Sequence, residues 1–425
     1  MSDTIPGHLR RSLPALLAVA LLALVSAQSP DRYGRAQPRT DRIGVHVKPL
    51  DTRHYRIFSE LDRATTHAMA AELEACYEDY VRRLGTLVDT THLASGSADR
   101  YEVHLFQSQA SYARFTRGDL PNSAGAFYPQ LRALCAYLDG QGRAEMKRTL
   151  RHEAFHQFAS EAIGSDLPQW LNEGLAQVFE HGIRVGNSLE MGELPPGPLR
   201  EIQAIVAGGE TIDFADMLSM SNTRWNQGMA SRRRGSVQYA QAWAMTHFLI
   251  YARGNDGQPK FRERFNAMLR DLSGGVDGQA AFTRNFGNNL DGFRKHFEAW
   301  VLAQQPTEVA QAFDDQTALA EMLVLLHKGG RSFNDAQQFG KFIVSSGFVL
   351  TRSRNGVEWS SDSDPRRYFT DPAGRPLAGA SLRLETEPSS PIPTLHRRPG
   401  DGRIYETAFY SLGGKVWSET TCRHE

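Results

Sequence analysis

The stretch His152-Glu153-Ala154-Phe155-His156 decides how this chain of 425 residues is interpreted, because it separates two histidines by about one helical turn. Residues four apart lie on the same face of an α-helix. His152 and His156 can therefore direct both imidazoles at one metal ion, as zinc sites of the His-Glu-x-x-His type require. Glu153 lies beside them and can take a proton from a water at the metal without being a ligand. A five-residue match alone is only a hypothesis.

A third candidate ligand is Glu173, in the segment Trp170-Leu171-Asn172-Glu173-Gly174-Leu175-Ala176. Pro168 suits the first turn of a helix and Gly182 suits its end, so this segment is predicted to form a second helix. A short loop, residues 164–167, would make the two helices antiparallel and place Glu173 opposite the two histidines. Two His and one Glu leave one position of a tetrahedral zinc ion open to water, which is typical of catalytic sites.

These segments resemble the gluzincin zinc metallopeptidases of the peptidase MA superfamily, and more closely a bacterial domain family of unknown function within it. The resemblance covers roughly residues 45–303. It implies an α+β fold with a thermolysin-like catalytic domain: a small mixed sheet over an active-site helix, followed by a mainly helical part. The shared segments are 150–157, 170–174, 239–249 and 286–300.

The resemblance also implies a site. Zn²⁺ would be bound by His152, His156 and Glu173, with Glu153 as the general base. One residue departs from the better-known gluzincins: Gln177 stands one turn after the Glu ligand, where they have an acidic residue that orients a zinc-bound histidine. An amide is a weaker orienting partner for a histidine N–H.

Gluzincins further require a Tyr or His that donates a hydrogen bond to the oxyanion of the tetrahedral intermediate. Tyr239 is the candidate here and His247 is the second choice. Together with Trp243 they form a stripe at i, i+4 and i+8, a pattern that equally fits an ordinary core face. In gluzincins the strand before the metal helix is an exposed edge that pairs with an extended peptide, and Leu131–Leu138 is the matching segment.

The predicted function is that of a zinc metallopeptidase acting on a peptide or protein substrate. The alternative is a non-catalytic protein of the same fold that serves as a binding or scaffold module in the cell envelope. Glu153 favours the enzyme, because a purely structural zinc site needs no base at that position.

The N-terminus predicts export. Arg10-Arg11 precede an apolar run, Leu13–Val25, which ends in the small residues Ser26-Ala27. This is the pattern of a secretory signal peptide, residues 1–27, and it predicts a secreted or periplasmic protein. An uncleaved anchor is the main alternative. No other stretch reaches the length of a membrane span.

The amino-acid composition argues against some classes of binding partner. The 48 Lys and Arg balance 48 Asp and Glu, so no overall field attracts nucleic acid. The basic run 231–235 is interpreted as a solvated loop, with a role in gripping an acidic substrate as a distant second. Three cysteines are too few for a disulfide framework. Either Cys76 and Cys135 form one bridge, or Cys76 is a buried free thiol on an apolar helical stripe.

The predicted organisation has a flexible lead-in at 28–44 and a catalytic domain at 45–303, followed by a region of unknown role at 304–425. The catalytic domain consists of the sheet and metal helix, 45–163, and a helical part, 164–303. The last region is predicted to contain a helix at 307–327, then strands at 342–361 that turn at Asn355-Gly356, and further short strands between 382 and 421.

Overall fold

The computed structural model describes residues 48–88, 90, 93, 100–116, 123–164, 167–361, 365–371 and 373–425. The predicted signal peptide 1–27, the lead-in 28–44 and residues 45–47 lie outside these ranges, as do residues 165–166 of the predicted interhelical loop. Within the described part, the fold is a mixed α+β one with thirteen α-helices and several sheets. No helix in these ranges is both long and apolar enough to cross a membrane.

The chain divides into two compact units. The N-terminal unit contains the described residues up to 194 together with 202–305, and the C-terminal unit contains 195–201 and 306–425. The predicted break near 303 and 304 lies close to this division. The assignment of 195–201 to the C-terminal unit has no counterpart in the sequence-based prediction.

The N-terminal unit has a five-stranded mixed sheet in the order β1-β2-β3-β5-β4. The pairs β2-β3 and β3-β5 are parallel, whereas β1-β2 and β4-β5 are antiparallel. The strands are β1 (Leu50–Asp51), β2 (Tyr55–Ser59), β3 (Tyr101–Phe106), β4 (Gly125–Tyr128) and β5 (Ala133–Tyr137).

The prediction that Leu131–Leu138 forms the edge of this sheet is wrong. β5 lies between β3 and β4, and all five of its side chains are buried. The segment before it contains β4, in which Phe127 lies opposite Leu134. The outer strand beside the metal helix is therefore β4.

Eleven described helices and one hairpin belong wholly or partly to the N-terminal unit. The hairpin of β6 (Ile183–Val185) and β7 (Ser188–Glu190) was not predicted, because strands of three residues are too short to show an alternating pattern. The helices are α1 (Arg63–Leu84), α2 (Gln109–Phe115), α3 (Gly142–Ala162), α4 (Gln169–Glu180), α5 (Pro196–Ala207), α6 (Phe214–Leu218), α7 (Asn222–Met229), α8 (Arg232–Tyr251), α9 (Arg262–Ser273), α10 (Gly278–Phe286) and α11 (Leu290–Ala303).

Helix α1 packs against the metal helix α3. Met69, Leu73 and Tyr80 form a fully buried stripe along α1, as its apolar period predicted. The Tyr80 hydroxyl donates a 2.6 Å hydrogen bond to the carbonyl oxygen of Arg151, the residue before the first histidine of the motif. This bond anchors the backbone of α3 next to the motif.

Helices α4 and α8 approach each other closely because residue 174 is glycine. A Cβ atom at Gly174 would lie 2.1 Å from the Thr246 Oγ1 atom and 2.5 Å from the Ala242 carbonyl oxygen. Glycine inside a helix costs about 1 kcal/mol relative to alanine, so its presence here reflects the close approach. As a result, Glu173 lies at the interface with α8.

The C-terminal unit contains two helices, a hairpin and a run of four antiparallel strands. Helix α12 packs against the last two of these strands, β12 and β13, which pair over ten residues each. The elements are α12 (Glu308–Lys328), α13 (Ala336–Ser346), β8 (Thr351–Arg354), β9 (Val357–Ser360), β10 (Leu382–Glu385), β11 (Thr394–Arg397), β12 (Arg403–Leu412) and β13 (Lys415–His424).

Part of the predicted strand region 342–361 is wrong, because residues 342–346 belong to α13. Its buried residues Phe339 and Ile343 lie four apart, and Asp335 caps its first turn, so a helical period extends into this segment. The predicted turn at Asn355-Gly356 is confirmed: both residues have positive φ, 50° and 87°, as a tight two-residue hairpin requires.

The three cysteines are free and buried, so the suggested Cys76–Cys135 bridge is not formed. The Cys76 thiol lies 3.7 Å from a carboxylate oxygen of Glu72. Burial, reinforced by the charge of Glu72, raises the pKa of the Cys76 thiol to about 12. The alternative of a buried free thiol is therefore the one that the structure shows.

Candidate metal centre

His152 and His156 on α3 and Glu173 on α4 converge on one point. Their ligand atoms all lie within 4.8 Å of one another. The Glu173 Oε2 atom is 3.3 Å from the His152 Nε2 atom and 3.6 Å from the His156 Nε2 atom. All three residues are buried, with exposed fractions of 6%, 3% and 0%. Among the described residues, this is the one group of three or more His, Cys, Asp or Glu residues that could hold a metal ion.

The three converging atoms suit a cation. His152 Nε2, His156 Nε2 and Glu173 Oε2 are each buried without a hydrogen bond in the described part of the chain. A buried polar atom left without a partner costs about 1–3 kcal/mol, so three such atoms facing one point suggest a ligand there. Two imidazole nitrogens and one carboxylate oxygen fit Zn²⁺ and other divalent first-row metals, with coordination positions left open. The residues therefore fit a metal ion, although the donor set does not identify it as zinc.

The surroundings of the cluster favour the charged form of Glu173. Burial opposes the charge on Glu173, but His156 and His152 outweigh it and lower the pKa of this carboxyl to about 2. Burial likewise opposes protonation of His152, yet the nearby carboxylates of Glu173 and Glu180 raise its pKa. A carboxylate with a lowered pKa thus lies close to both imidazoles, where it can attract a cation.

A second set of residues on α4 orients the ligands. The Glu180 Oε2 atom lies 3.1 Å from His152 Nδ1, and the Asn172 Oδ1 atom lies 3.0 Å from His156 Nδ1. A hydrogen on Nδ1 directs the lone pair of Nε2 inward, as a metal ligand requires. On Glu173, the Oε1 atom accepts a 2.9 Å hydrogen bond from Gln169 Nε2, which leaves Oε2 to face the histidines.

The residue that orients His152 is Glu180. Gln177, at the position where gluzincins have an acidic residue, makes a different contact. The Gln177 amide donates a 2.9 Å hydrogen bond to the carbonyl oxygen of Tyr239 on α8. Glu180 lies seven residues after Glu173, two turns along the same helical face, so its spacing was a usable signal. Burial opposes its charge, but His181, His152 and Arg148 hold the pKa of Glu180 well below its ordinary value.

Glu153 lies beside the cluster and is tied to the sheet. It is 2% exposed, and its Oε2 atom accepts a 2.8 Å hydrogen bond from the backbone N–H of Phe127 on β4. Burial raises the pKa of Glu153 above that of an ordinary glutamate. A raised pKa brings a carboxylate closer to the range in which it can exchange protons near neutral pH.

The structure brings Tyr239 to the cluster. Burial, together with the charges of Glu173 and Glu153, raises the pKa of Tyr239 well above its ordinary value. Its hydroxyl therefore keeps its proton and can act as a hydrogen-bond donor beside these carboxylates. The Tyr239 ring packs edge-on against Trp225, with 5.5 Å between the ring centroids.

His247 belongs to a different environment. It follows Tyr239 by eight residues, about 12 Å along the helix axis. Its ring contacts the aromatic rings of Trp243, Tyr251 and Trp300, at centroid distances of 4.7–5.8 Å. Burial lowers the pKa of His247 to about 4, so the imidazole is neutral. The structure places this second-choice donor in an aromatic core.

Residues 147–257 match a family described as a protein of unknown function, DUF1570. The matched segment begins inside α3, contains α4 and the whole of α8, and so includes all three candidate ligands together with Glu153, Glu180 and Tyr239. No curated protein matches the chain.

Proposed function

We propose that the protein is a zinc metallopeptidase, secreted or periplasmic, that hydrolyses peptide bonds with Glu153 as its general base. The observation that supports this most directly is the position of Glu153. Its buried carboxylate lies next to three converging ligand atoms that lack hydrogen bonds, and a backbone N–H restrains it. A site that only bound a metal for stability would not need a restrained base with a raised pKa.

The proposed roles follow from the positions of the side chains. His152, His156 and Glu173 would hold the ion. When bound, Zn²⁺ would act as a Lewis acid and lower the pKa of a coordinated water to about 7. Glu153 takes a proton from the attacking water and delivers it to the leaving amine. The Tyr239 hydroxyl donates a hydrogen bond to the developing oxyanion, a contribution of about 3 kcal/mol in comparable sites.

The resemblance to gluzincins also suggests how a peptide would lie. An extended peptide can add to the outer strand of a sheet through backbone hydrogen bonds. Here the outer strand is β4, which provides the N–H that restrains Glu153. A substrate along β4 would therefore place its scissile bond near the base and the metal.

The proposal is tested by metal content and cleavage. The purified protein should contain one zinc per chain by mass spectrometry and should cleave a diverse peptide library in a chelator-sensitive manner. Glu153→Gln should keep its zinc and lose at least 100-fold in turnover, the usual contribution of a general base. Glu173→Ala should lose the zinc. Glu263→Gln, which changes an exposed glutamate on α9, should change neither quantity.

Two results would contradict the proposal. Full turnover by Glu153→Gln would show that this residue is not the base. Bound zinc without any chelator-sensitive cleavage of the library would instead favour the non-catalytic envelope protein.

A further inference from the structure

A cleft of about 430 Å³ lies where three helices of the N-terminal unit begin. Its volume is within the range of about 300–1,000 Å³ that is typical of ligand pockets. Pro168 and Gln169 line it at the start of α4, Ser221 and Asn222 at the start of α7, and Val276 and Asp277 just before α10.

One side chain connects this cleft with the metal centre. Gln169 lines the cleft, and its Nε2 atom donates the 2.9 Å hydrogen bond to Glu173 Oε1. The other oxygen of Glu173 faces the two histidines. Gln169, which is 5% exposed, therefore links the cleft to a candidate metal ligand. A group bound in the cleft would be separated from this candidate ligand by one residue, Gln169.

The walls of the cleft are firmly packed, so the cleft is preformed before any ligand binds. α10 begins directly against α4, since a Cβ atom at Gly278 would lie 2.2 Å from Pro168 Cγ. Behind this contact, Trp170 and Phe282 pack edge to face with 6.4 Å between their centroids. Gln238 of α8 reaches Met220, a further lining residue, with 3.5 Å between its Nε2 atom and the methionine sulfur.

The lining is a mixture of apolar and neutral polar groups with one charge. Ser221 and Asp277 already accept hydrogen bonds from the first turns of α7 and α10, so these two helix ends are capped. The exposed Asp277 is the only ionisable side chain among the described residues that line the cleft, and no Lys, Arg or His side chain lines it. An acidic group would meet the like charge of Asp277 there, and two of the three helix N-termini that could offset this repulsion are already capped by Ser221 and Asp277.

We propose that this cleft is the pocket that selects one side chain of the peptide substrate, and that it takes neutral or basic side chains in preference to acidic ones. The inference rests on the proposed peptidase function. Gln169 acts as a positioning residue: it orients Glu173 and separates the bound side chain from the metal.

The test compares cleavage of a fluorogenic peptide series in which one residue near the scissile bond is Ala, Leu, Phe, Lys or Glu. Asn222→Trp fills the cleft from an accessible helical position. It should lower kcat/KM for Leu and Phe peptides at least tenfold while leaving the Ala peptide within threefold. Gln227→Trp, at an exposed position of the same helix outside the cleft, is the matched control and should keep the wild-type profile.

Asp277→Asn tests the charge while keeping a good helix cap. It should reduce the discrimination against the Glu peptide about fivefold, which corresponds to the roughly 1 kcal/mol between exposed charges 4 Å apart in water. As a readout that does not require turnover, binding of the Leu peptide to Glu153→Gln protein should weaken about tenfold when Asn222→Trp is added.

The outcomes separate the two proposals. Chelator-sensitive cleavage by the wild type with an unchanged side-chain profile in Asn222→Trp would overturn the cleft assignment and leave the peptidase intact. Absence of cleavage by the zinc-loaded wild type for every peptide would overturn the peptidase proposal and the cleft assignment with it.

Discussion

Removing the Glu180 carboxylate should weaken zinc binding without unfolding the protein. Glu180 Oε2 lies 3.1 Å from His152 Nδ1 and holds that imidazole with its other nitrogen directed at the cluster. Partners of this kind typically contribute 10- to 100-fold to metal affinity. Glu180→Ala should therefore raise the Kd for zinc by about 10- to 100-fold, or roughly 1.4–2.7 kcal/mol.

The charge and the hydrogen bond of Glu180 can be separated. Glu180→Gln keeps an acceptor but loses the charge, and an uncharged hydrogen bond is about half as strong as a charge-assisted one. Glu180→Gln should therefore raise the Kd for zinc by a smaller factor, roughly three- to tenfold. The assay is competition for zinc with a chromophoric chelator, accompanied by thermal unfolding of the metal-free protein.

Two further variants are the controls for Glu180. Glu145→Gln removes the other carboxylate that contacts Arg148, 3.2 Å away, and should leave the Kd for zinc unchanged. Gln177→Met changes the position at which gluzincins have an acidic residue. It should also leave the Kd for zinc within about threefold, because the Gln177 amide donates its hydrogen bond to the carbonyl oxygen of Tyr239. The reasoning is refuted if Glu180→Ala binds zinc as tightly as the wild type, and most clearly if Gln177→Met alone weakens it.

Three other outcomes are expected. Gly174→Ala should lower the free energy of unfolding in urea by about 1–3 kcal/mol, because its Cβ would overlap Thr246; a gain in stability, as helix propensity alone predicts, would contradict the close packing of α4 and α8. Tyr239→Phe should keep its zinc and lose about 100-fold in kcat, and an unchanged kcat would remove it as the oxyanion donor. Burial raises the pKa values of Cys76 and Cys135, so at pH 8 these thiols should react with a thiol reagent only after unfolding in urea. All three cysteines should then react. A single reactive thiol in unfolded, unreduced protein would indicate a bridge.

Much of the site was predictable because its ligands are spaced by helical periods. His152 and His156 share a face of α3 by their spacing alone, and the second segment supplies Glu173 on a helix that the sequence also marks. The long helix α12 was predicted at 307–327, close to its observed bounds. The Asn355-Gly356 turn was predictable because few other residue pairs adopt two positive φ angles.

What the sequence concealed depends on contacts between distant segments. β4 has four residues, too few for a clear alternation, and only its pairing with β5 makes it a strand. The role of Glu180 was not predicted, because it depends on a contact between α4 and His152 of α3. Tyr239 and His247 lie on one stripe of α8 but have different surroundings. Tyr239 lies near the carboxylates of Glu173 and Glu153, whereas His247 packs against Trp300.

The hydrogen bond between Phe127 and Glu153 bears on how this protein can change over evolution. The donor is a peptide N–H, which every amino acid except proline provides. The side chain at position 127 can therefore vary widely while the base stays oriented, provided that the new residue packs. A shift of β4 by one residue against β5 would be far more damaging, since it would turn that N–H away from α3. An insertion or deletion within β4, more than a substitution, is the change that this arrangement cannot tolerate.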